Sequence, residues 1–244
     1  KTAYEIYQCD WSSDVCSSDL TARARGVRSA FIGTGQAGMM ISGGGLCLDA
    51  VRVDYASGAV EAEVMRHGAN HDIVWVEGQG SLLNPASTAT LPLIRGSQPT
   101  HLVLVAKAGV KTLRSFAHIA IPPLSKVVAL YEQVAAAAGC FAAVPVVGIA
   151  LNTWEQSDAE ARASVAAAAQ ETGLPCTDAV RFGPDSEWKK CRLMRAGFVA
   201  TIGLIDFYYA DYCLIKSGTR CDRQAQVLYG NRAYRPEARS EEHT

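Results

Sequence analysis

The stretch Val74-Trp75-Val76-Glu77-Gly78-Gln79-Gly80-Ser81 decides how the rest of the chain is read. A short apolar run, residues 73–76, stops at one carboxylate and gives way to small residues. Strands buried on both faces read as continuous apolar runs, and open α/β sheets bind ligands just beyond the carboxyl ends of their strands. Glu77 is therefore read as an acid delivered to the ligand-binding edge of a parallel sheet. Gly78 and Gly80 let the backbone approach a ligand closely. Taken alone, the octapeptide reads equally as a strand end with a solvated acid, so its surroundings decide.

Upstream, residues 28–33 read as a strand (Ala30, Phe31, Ile32) that ends in Gly33-Thr34-Gly35-Gln36-Ala37-Gly38. A glycine-rich loop after a strand offers backbone N–H groups to phosphate. No Lys-Ser/Thr pair follows, so it is not a Walker A loop, and the Rossmann spacing is absent too; a plain turn is the alternative. Ser42-Gly43-Gly44-Gly45 reads as a mobile or ligand-covering loop. Asp49 and Asp54 sit in an apolar setting, and Ser57 reads as the cap of a helix through Val64. Asp54 and Glu61 can face the same edge as Glu77, where carboxylates hold Mg²⁺, or simply be solvated.

Downstream, residues 101–106 read as a second buried strand, followed by Lys107, Lys111 and Arg114 as candidate anion contacts. Leu124, Val127, Val128, Leu130, Tyr131 and Val134 lie along one side of a helix over 124–139. Residues 144–151 read as a strand ending in Asn152-Thr153. Ser157 or Asp158 caps an alanine-rich helix stopped by Gly173, and residues 177–182 read as a last short strand. Strands alternating with helices imply an α/β fold, a mainly parallel sheet with helices on both faces. The polar groups fall after the strands, at residues 33–38, 77, 107 and 152.

The chain has 244 residues and a net charge of −1. That balance carries neither the basic footprint of a nucleic-acid binder nor a polybasic membrane patch. The apolar run 196–215 contains Asp206 and Asp211. Each mid-membrane Asp costs roughly 2.5–3.5 kcal/mol, so the run reads as non-spanning. No signal-peptide order is found near residue 1. Of eight cysteines, only Cys47, Cys140 and Cys176 fall in the well-patterned middle, with no metal-ligand spacing. Free thiols in a cytoplasmic protein with a small-molecule substrate are expected; a homo-oligomer is compatible with this.

The ends read differently. Residues 5–20 repeat Ser-Ser-Asp, and the chain closes on Arg239-Ser240-Glu241-Glu242-His243-Thr244. Both resemble translated sequencing-library adapter, so residues 1–22 are expected to be foreign or disordered, and residues 1–20 and 239–244 (the latter outside the described residues) to pack against nothing. Residues 23–185 are expected to form the domain, with 186–244 an unassigned tail.

Six strings in order carry a family resemblance: Thr34-Gly35-Gln36-Ala37-Gly38, Ser57-Gly58-Ala59-Val60-Glu61, Val76-Glu77-Gly78-Gln79-Gly80-Ser81, Arg95-Gly96-Ser97-Gln98-Pro99, Ala150-Leu151-Asn152-Thr153 and Thr172-Gly173-Leu174-Pro175. Together they resemble the C-terminal domain of the D-glutamate N-acetyltransferase-like proteins, long known only as a domain of unknown function. The resemblance implies a P-loop NTPase-type fold similar to dethiobiotin synthetase. In that wider group an acid in Glu-Gly-x-Gly binds Mg²⁺ or substrate, the place of Glu77. An Asn ending a later strand reads an adenine base, the place of Asn152. The family places a strand and phosphate loop upstream of Arg23, so the chain as it stands is expected to be a fragment, inactive and weakly stable.

The implied reaction moves acetyl from acetyl-CoA to the amine of D-glutamate or a similar acidic D-amino acid. Such a reaction needs a base for the amine proton, donors for the thioester oxyanion and cations for substrate carboxylates. Glu77 is the candidate base or metal ligand, with Asp54 as a second metal ligand. Gly35, Gln36, Gly38, Gly78, Gln79, Gly80 and Ser81 are candidates for holding oxyanion or phosphate. Arg95, Lys107 and Arg181 are candidates for pairing with carboxylates. An ATP- and Mg²⁺-dependent ligase or kinase-like enzyme, and a non-catalytic nucleotide- or CoA-binding module, are the competing readings.

Overall fold

Strands β1 (Ser29–Ile32) and β2 (Ile73–Val76) are buried at every position, and β3 (His101–Lys107) at all but its two ends. Such continuous burial requires cover on both faces of the sheet, and the helices between strands supply it. The computed structural model describes residues 12–113, 116–183 and 198–204, all within one unit, Lys1–Phe207. Helix α1 (Ser12–Ala24) precedes β1; α2 (Gln36–Ser42), a 3-10 turn (Leu48–Ala50) and α3 (Val53–Gly68) lead to β2. Helix α4 (Thr90–Ser97) leads to β3, and a small hairpin of β4 (Thr112–Leu113) and β5 (Phe116–Ala120) leads to α5 (Leu124–Ala135). Then come β6 (Val146–Asn152), α6 (Asp158–Thr172), β7 (Cys176–Thr177), α7 (Ala179–Phe182) and β8 (Phe198–Leu204).

The main sheet has the order β1-β2-β8-β3-β6-β7, and every pairing is parallel. All carboxyl ends therefore lie on one edge, as the strand–loop–helix pattern predicts. On one side, Ile32, Val74 and Val76 pack with Leu48, Ala56, Val60 and Leu93 under α3 and α4. A larger core joins Leu102, Leu104, Ala106, Ile149 and Leu151 to Val127, Tyr131 and Ala135 of α5 and Ala168 of α6. On β2, Trp75 donates its indole N–H to Ser29 Oγ at 3.0 Å, which meets the polar need of a buried Trp.

Helix α6 begins as predicted. Ser157 Oγ accepts from Glu160 N, Glu160 reaches back to Ser157 N at 2.9 Å, and Gly173 closes the helix at φ 71°. The Ser157 hydroxyl, which donates to Glu160 Oε2 at 2.6 Å, and the Ser157 N–H hold the Glu160 carboxyl below its ordinary range. Three expectations are corrected. Ser57 lies inside α3, which starts at Val53, because Ala56 and Val60 both reach the core. The strand expected over 177–182 stops at Thr177, because Asp178 caps the short α7 by accepting from Arg181 N. Residues 1–22 do not all stand off the fold: Ser18 and Asp19 are buried, Ala22 fully so, and α1 packs on β1, α2 and α7.

Beyond residue 185, the expected end of the domain, one more strand joins the sheet. Residues 198–204 lie between β2 and β3, pairing Val76 with Thr201 and Val105 with Leu204. A gap there would leave two interior strands with unpaired backbone groups, and this β-branched apolar run closes it. No helix among the described residues is long and apolar enough to cross a membrane. Cys47, Cys140 and Cys176 are free thiols.

Helices α3 and α4 approach through a glycine. A Cβ at Gly96 would stand 2.2 Å from the Ser57 carbonyl oxygen and 2.7 Å from Val60 Cβ. Neither can retreat without moving a helix. Gly96→Ala is expected to destabilise by about 1–3 kcal/mol, lowering the melting temperature by several degrees. An unchanged thermal melt would show that the two helices separate freely.

Candidate functional site

The carboxyl edge is built from the inside outward, and its first element is the Glu77 side chain. Glu77 N donates to Ile32 O at 3.0 Å, which carries the β1–β2 pairing one residue past the strands. The side chain then turns under the neighbouring loop. Glu77 Oε2 accepts from Thr34 N at 2.7 Å and Gly35 N at 3.0 Å, while Thr34 Oγ1 donates to Glu77 O at 3.0 Å. Glu77 is only 6% exposed. A Cβ at Gly38 would fall 2.2 Å from Glu77 Oε2, so only glycine lets this carboxylate lie flat beneath α2. Hydrogen bonds from backbone N–H to a carboxylate are among the stronger ones.

The loop after Glu77 is tied from three sides. Ser81 N donates to Ser87 Oγ at 3.0 Å, Thr90 Oγ1 donates to Gln79 O at 3.1 Å, and Leu82 N donates to Tyr131 Oη at 3.1 Å. Gly80 has φ 77°, and a Cβ there would strike Ser87 Oγ at 1.9 Å. Gln79 Nε2 donates to Asp49 Oδ1 at 2.8 Å, bringing the 3-10 turn to the edge. Across the sheet Lys107 is in register with Asn152, and Ala108 N donates to Asn152 O at 2.9 Å. Lys107 Nζ meets Glu155 Oε1 at 2.7 Å, and Asn152 Oδ1 accepts from Trp154 N at 3.0 Å.

The loop after β6 has its own clamp. The buried Asp178 Oδ2 accepts from Thr153 N at 2.9 Å and from Thr153 Oγ1. Arg181 pairs with Asp158 and donates through Nη2 to Thr153 O at 3.0 Å and Gln156 O at 2.8 Å.

Several expected site residues thus come together at one edge: Gly35, Glu77, Gly78, Gln79, Gly80, Lys107 and Asn152. Gln36 opens α2 beside Gly35, and Gly38 forms the roof over Glu77. Others are placed differently. Ser81 is turned inward, 1% exposed, with Oγ accepting from Leu83 N at 3.1 Å, so it braces the loop from within. Arg181 is committed to the loop carbonyls and Asp158. Arg95 sits in the last turn of α4, which feeds the start of β3, so it belongs to the amino end of the sheet. Its guanidinium lies 5.4 Å over the Phe141 ring. Asp54 is exposed in the first turn of α3. Arg114 lies outside the described residues. Among those residues no group of three His, Cys, Asp or Glu is arranged to hold a metal ion. Glu77 Oε2 already takes two backbone N–H groups.

Asp49, Thr34, Tyr131 and Asp178 are the residues that sequence reasoning missed here. Tyr131 left a signal: a phenol within an apolar helix stripe needs a polar partner. A cavity of about 660 Å³ lies away from this edge, along α6 and β7, where it is lined by Val165, Leu174, Pro175 and Phe182. Its charged and hydroxyl lining is limited to Arg162 and Thr177, and Arg162 lies over the Phe182 ring, so the carboxyl edge, with more polar groups close together, is the better candidate site.

A parallel sheet covered on both faces, with a glycine-rich strand-to-helix turn beside an acid-Gly-x-Gly loop at its carboxyl edge, defines a P-loop-type α/β domain. The chain belongs to the DUF1611 family: residues 17–186 match its P-loop domain, described as a domain of unknown function (DUF1611_C). It is 37% identical over 158 residues to a protein of a Pseudoalteromonas species named D-glutamate N-acetyltransferase, covering 64% of this chain and 46% of that protein. It is 34% identical over 170 residues to a protein of the same name from Tritonibacter scottomollicae, covering 68% and 49%. The crystal structure of a DUF1611 family protein from Anabaena variabilis is similar at a TM-score of 0.70 and 57% identity, over 71% of this chain and 51% of that one. The chain spans about half the length of the curated relatives it matches.

Tyr131 gives the site a testable brace. Burial, the largest influence, pushes its phenol up from the ordinary 10.0 to about 12. The stability gained by keeping the phenol neutral is complete below pH 10 and drains away as pH rises toward 12. Tyr131→Phe is expected to be less stable at neutral pH by about 1–3 kcal/mol, because Leu82 N–H loses its acceptor. It should also lack the loss in stability that the wild type shows in alkali. Parallel denaturation curves for both proteins across that range would contradict this account of Tyr131.

Proposed function

We propose that the protein transfers acetyl from acetyl-CoA to the amine of D-glutamate or a similar acidic D-amino acid. The observation that carries this reading is the 37% and 34% identity to two proteins named for that activity. The carboxyl edge supports it with chemistry of the right kind. Of the three cations expected to meet substrate carboxylates, Lys107 stands at the edge. Its partner Glu155 has a side chain 70% exposed, so a substrate carboxylate can take that place. Such exposed pairs are worth little by themselves and exchange readily.

The reaction joins the amine nitrogen to the thioester carbonyl carbon as the carbon–sulfur bond breaks. The thiolate released balances the proton that leaves the amine. Negative charge gathers on the thioester oxygen in the transition state, where fixed backbone donors stabilise it best. The tied loop at 78–80 holds its N–H groups still enough for that task. Glu77 is assigned to holding the 33–38 turn, because its Oε2 is already satisfied by two backbone donors.

The P-loop description of the domain makes an ATP-dependent reaction the competitor. The two separate in one assay of the full-length protein with D-glutamate and either acetyl-CoA or ATP. Release of free CoA thiol in the first mixture, with no ADP in the second, is expected. Lys107→Ala should raise KM for D-glutamate at least tenfold with a smaller change in kcat. ADP formation without CoA release would overturn the reading in favour of a ligase or kinase.

A further inference from the structure

The amide of Asn152 is divided between two uses. Its Oδ1 accepts from Trp154 N at 3.0 Å, which braces the turn after β6. A backbone N–H only donates, so this bond fixes the oxygen toward the chain and leaves Nδ2 as the other end of the amide. Among the described residues no group accepts from Nδ2. Asn152 is half-buried, and Nδ2 is not one of the unpartnered atoms closed off from solvent.

Lys107 stands beside it. The two residues pair in the parallel register of β3 and β6, so their side chains leave the same face of the sheet, on strands about 4.8 Å apart. Lys107 Nζ meets Glu155 Oε1 at 2.7 Å, and the Glu155 side chain is 70% exposed. The place that the Glu155 carboxylate fills is therefore open to solvent and sized for a carboxylate. Exposed ion pairs of this kind exchange readily.

Two donors on neighbouring strands, one of them cationic, thus adjoin a place that a carboxylate can occupy. A carboxylate has two accepting oxygens, one for each donor. The contact that Asn makes with adenine is different, because it uses Nδ2 as donor and Oδ1 as acceptor together. Here Oδ1 is committed to Trp154 N, so the open end of Asn152 suits a group that only accepts.

We propose that Asn152 Nδ2 donates to the same substrate carboxylate that Lys107 binds. Asn152 then governs affinity for the amino acid and not for CoA. This rests on the acetyl-transfer reading given above.

The test follows CoA release by the full-length protein while D-glutamate and acetyl-CoA are varied in turn. Asn152→Ser keeps an acceptor for Trp154 N but is too short to reach the substrate. It should raise KM for D-glutamate at least tenfold and move KM for acetyl-CoA less than twofold. Asn152→Asp keeps the same acceptor and puts a carboxylate oxygen where Nδ2 stood, so KM for D-glutamate should rise further still. Glu155→Gln should lower that KM, since a competing carboxylate is gone. On a Lys107→Ala background, Asn152→Ser should add less than threefold, because the two donors serve one group. Thermal melts within a few degrees of the wild type would show that the turn is intact in each variant. A rise in KM for acetyl-CoA with that for D-glutamate unchanged would overturn the inference in favour of a base contact. An equal rise on the wild-type and Lys107→Ala backgrounds would overturn it too, since the two donors would then serve different groups. If the wild type releases no CoA with D-glutamate, the acetyl-transfer reading itself fails, and this inference with it. Release by the wild type with both KM values unchanged in Asn152→Ser sinks this inference alone.

Discussion

The hydrogen bonds from Thr34 N and Gly35 N to the Glu77 carboxylate organise this domain. They join the turn after β1 to the turn after β2, at the point where the parallel pairing of those strands ends. They also explain the composition of both segments. Gly38 must lack a side chain so that the carboxylate fits under α2. Thr34 must carry a hydroxyl to satisfy the Glu77 carbonyl. Once Glu77 is fixed, the backbone of 78–82 runs on a set path, and Ser87, Thr90 and Tyr131 meet its polar groups. The glycine-rich turn reads in sequence as a phosphate cradle, but two of its N–H groups are held by an internal anion instead.

That arrangement marks the limit of what the sequence discloses. Strands β1, β2, β3 and β6 were legible because each is a continuous apolar run that stops at a polar residue or glycine. Helix α6 was legible from the Ser157 or Asp158 cap and Gly173, since caps are local chemistry. The family was legible from six short strings, and the match over residues 17–186 bears it out. The partners of the polar edge residues were not legible. Glu77 meets a residue 43 positions away, and Asp178 one 25 positions away. No local pattern encodes such pairs, because loops lying side by side on a sheet edge are brought together by strand order alone. Strand β8 was missed for the same reason: its slot is defined by β2 and β3, which lie far upstream in the sequence.

The cations illustrate how strand order redistributes roles. Arg95, Lys107 and Arg181 look equivalent in sequence as partners for substrate carboxylates. In the fold they separate. Arg95 lies near the start of β3, over an aromatic ring. Arg181 binds two loop carbonyls and an aspartate, so moving it would free the turn after β6. Lys107 remains beside Asn152 with an exposed glutamate as its partner. Of the three, Lys107 alone stands at the carboxyl edge, where the tied loop and the Gln79 amide held by Asp49 also lie. The two acids beside that loop, Glu77 and Asp49, serve chiefly to hold other groups in place.

Amide hydrogen exchange at Thr34 and Gly35, in the wild type and in Glu77→Leu, tests the central claim most directly. Leucine fills the buried volume but offers no acceptor, leaving both N–H groups unsatisfied. The account predicts that these two amides exchange at least tenfold faster in the variant, while the amides of Val103 and Leu104 within β3 keep their wild-type protection. Unchanged exchange at Thr34 and Gly35 would contradict it, since the turn would then be held by something other than the Glu77 carboxylate.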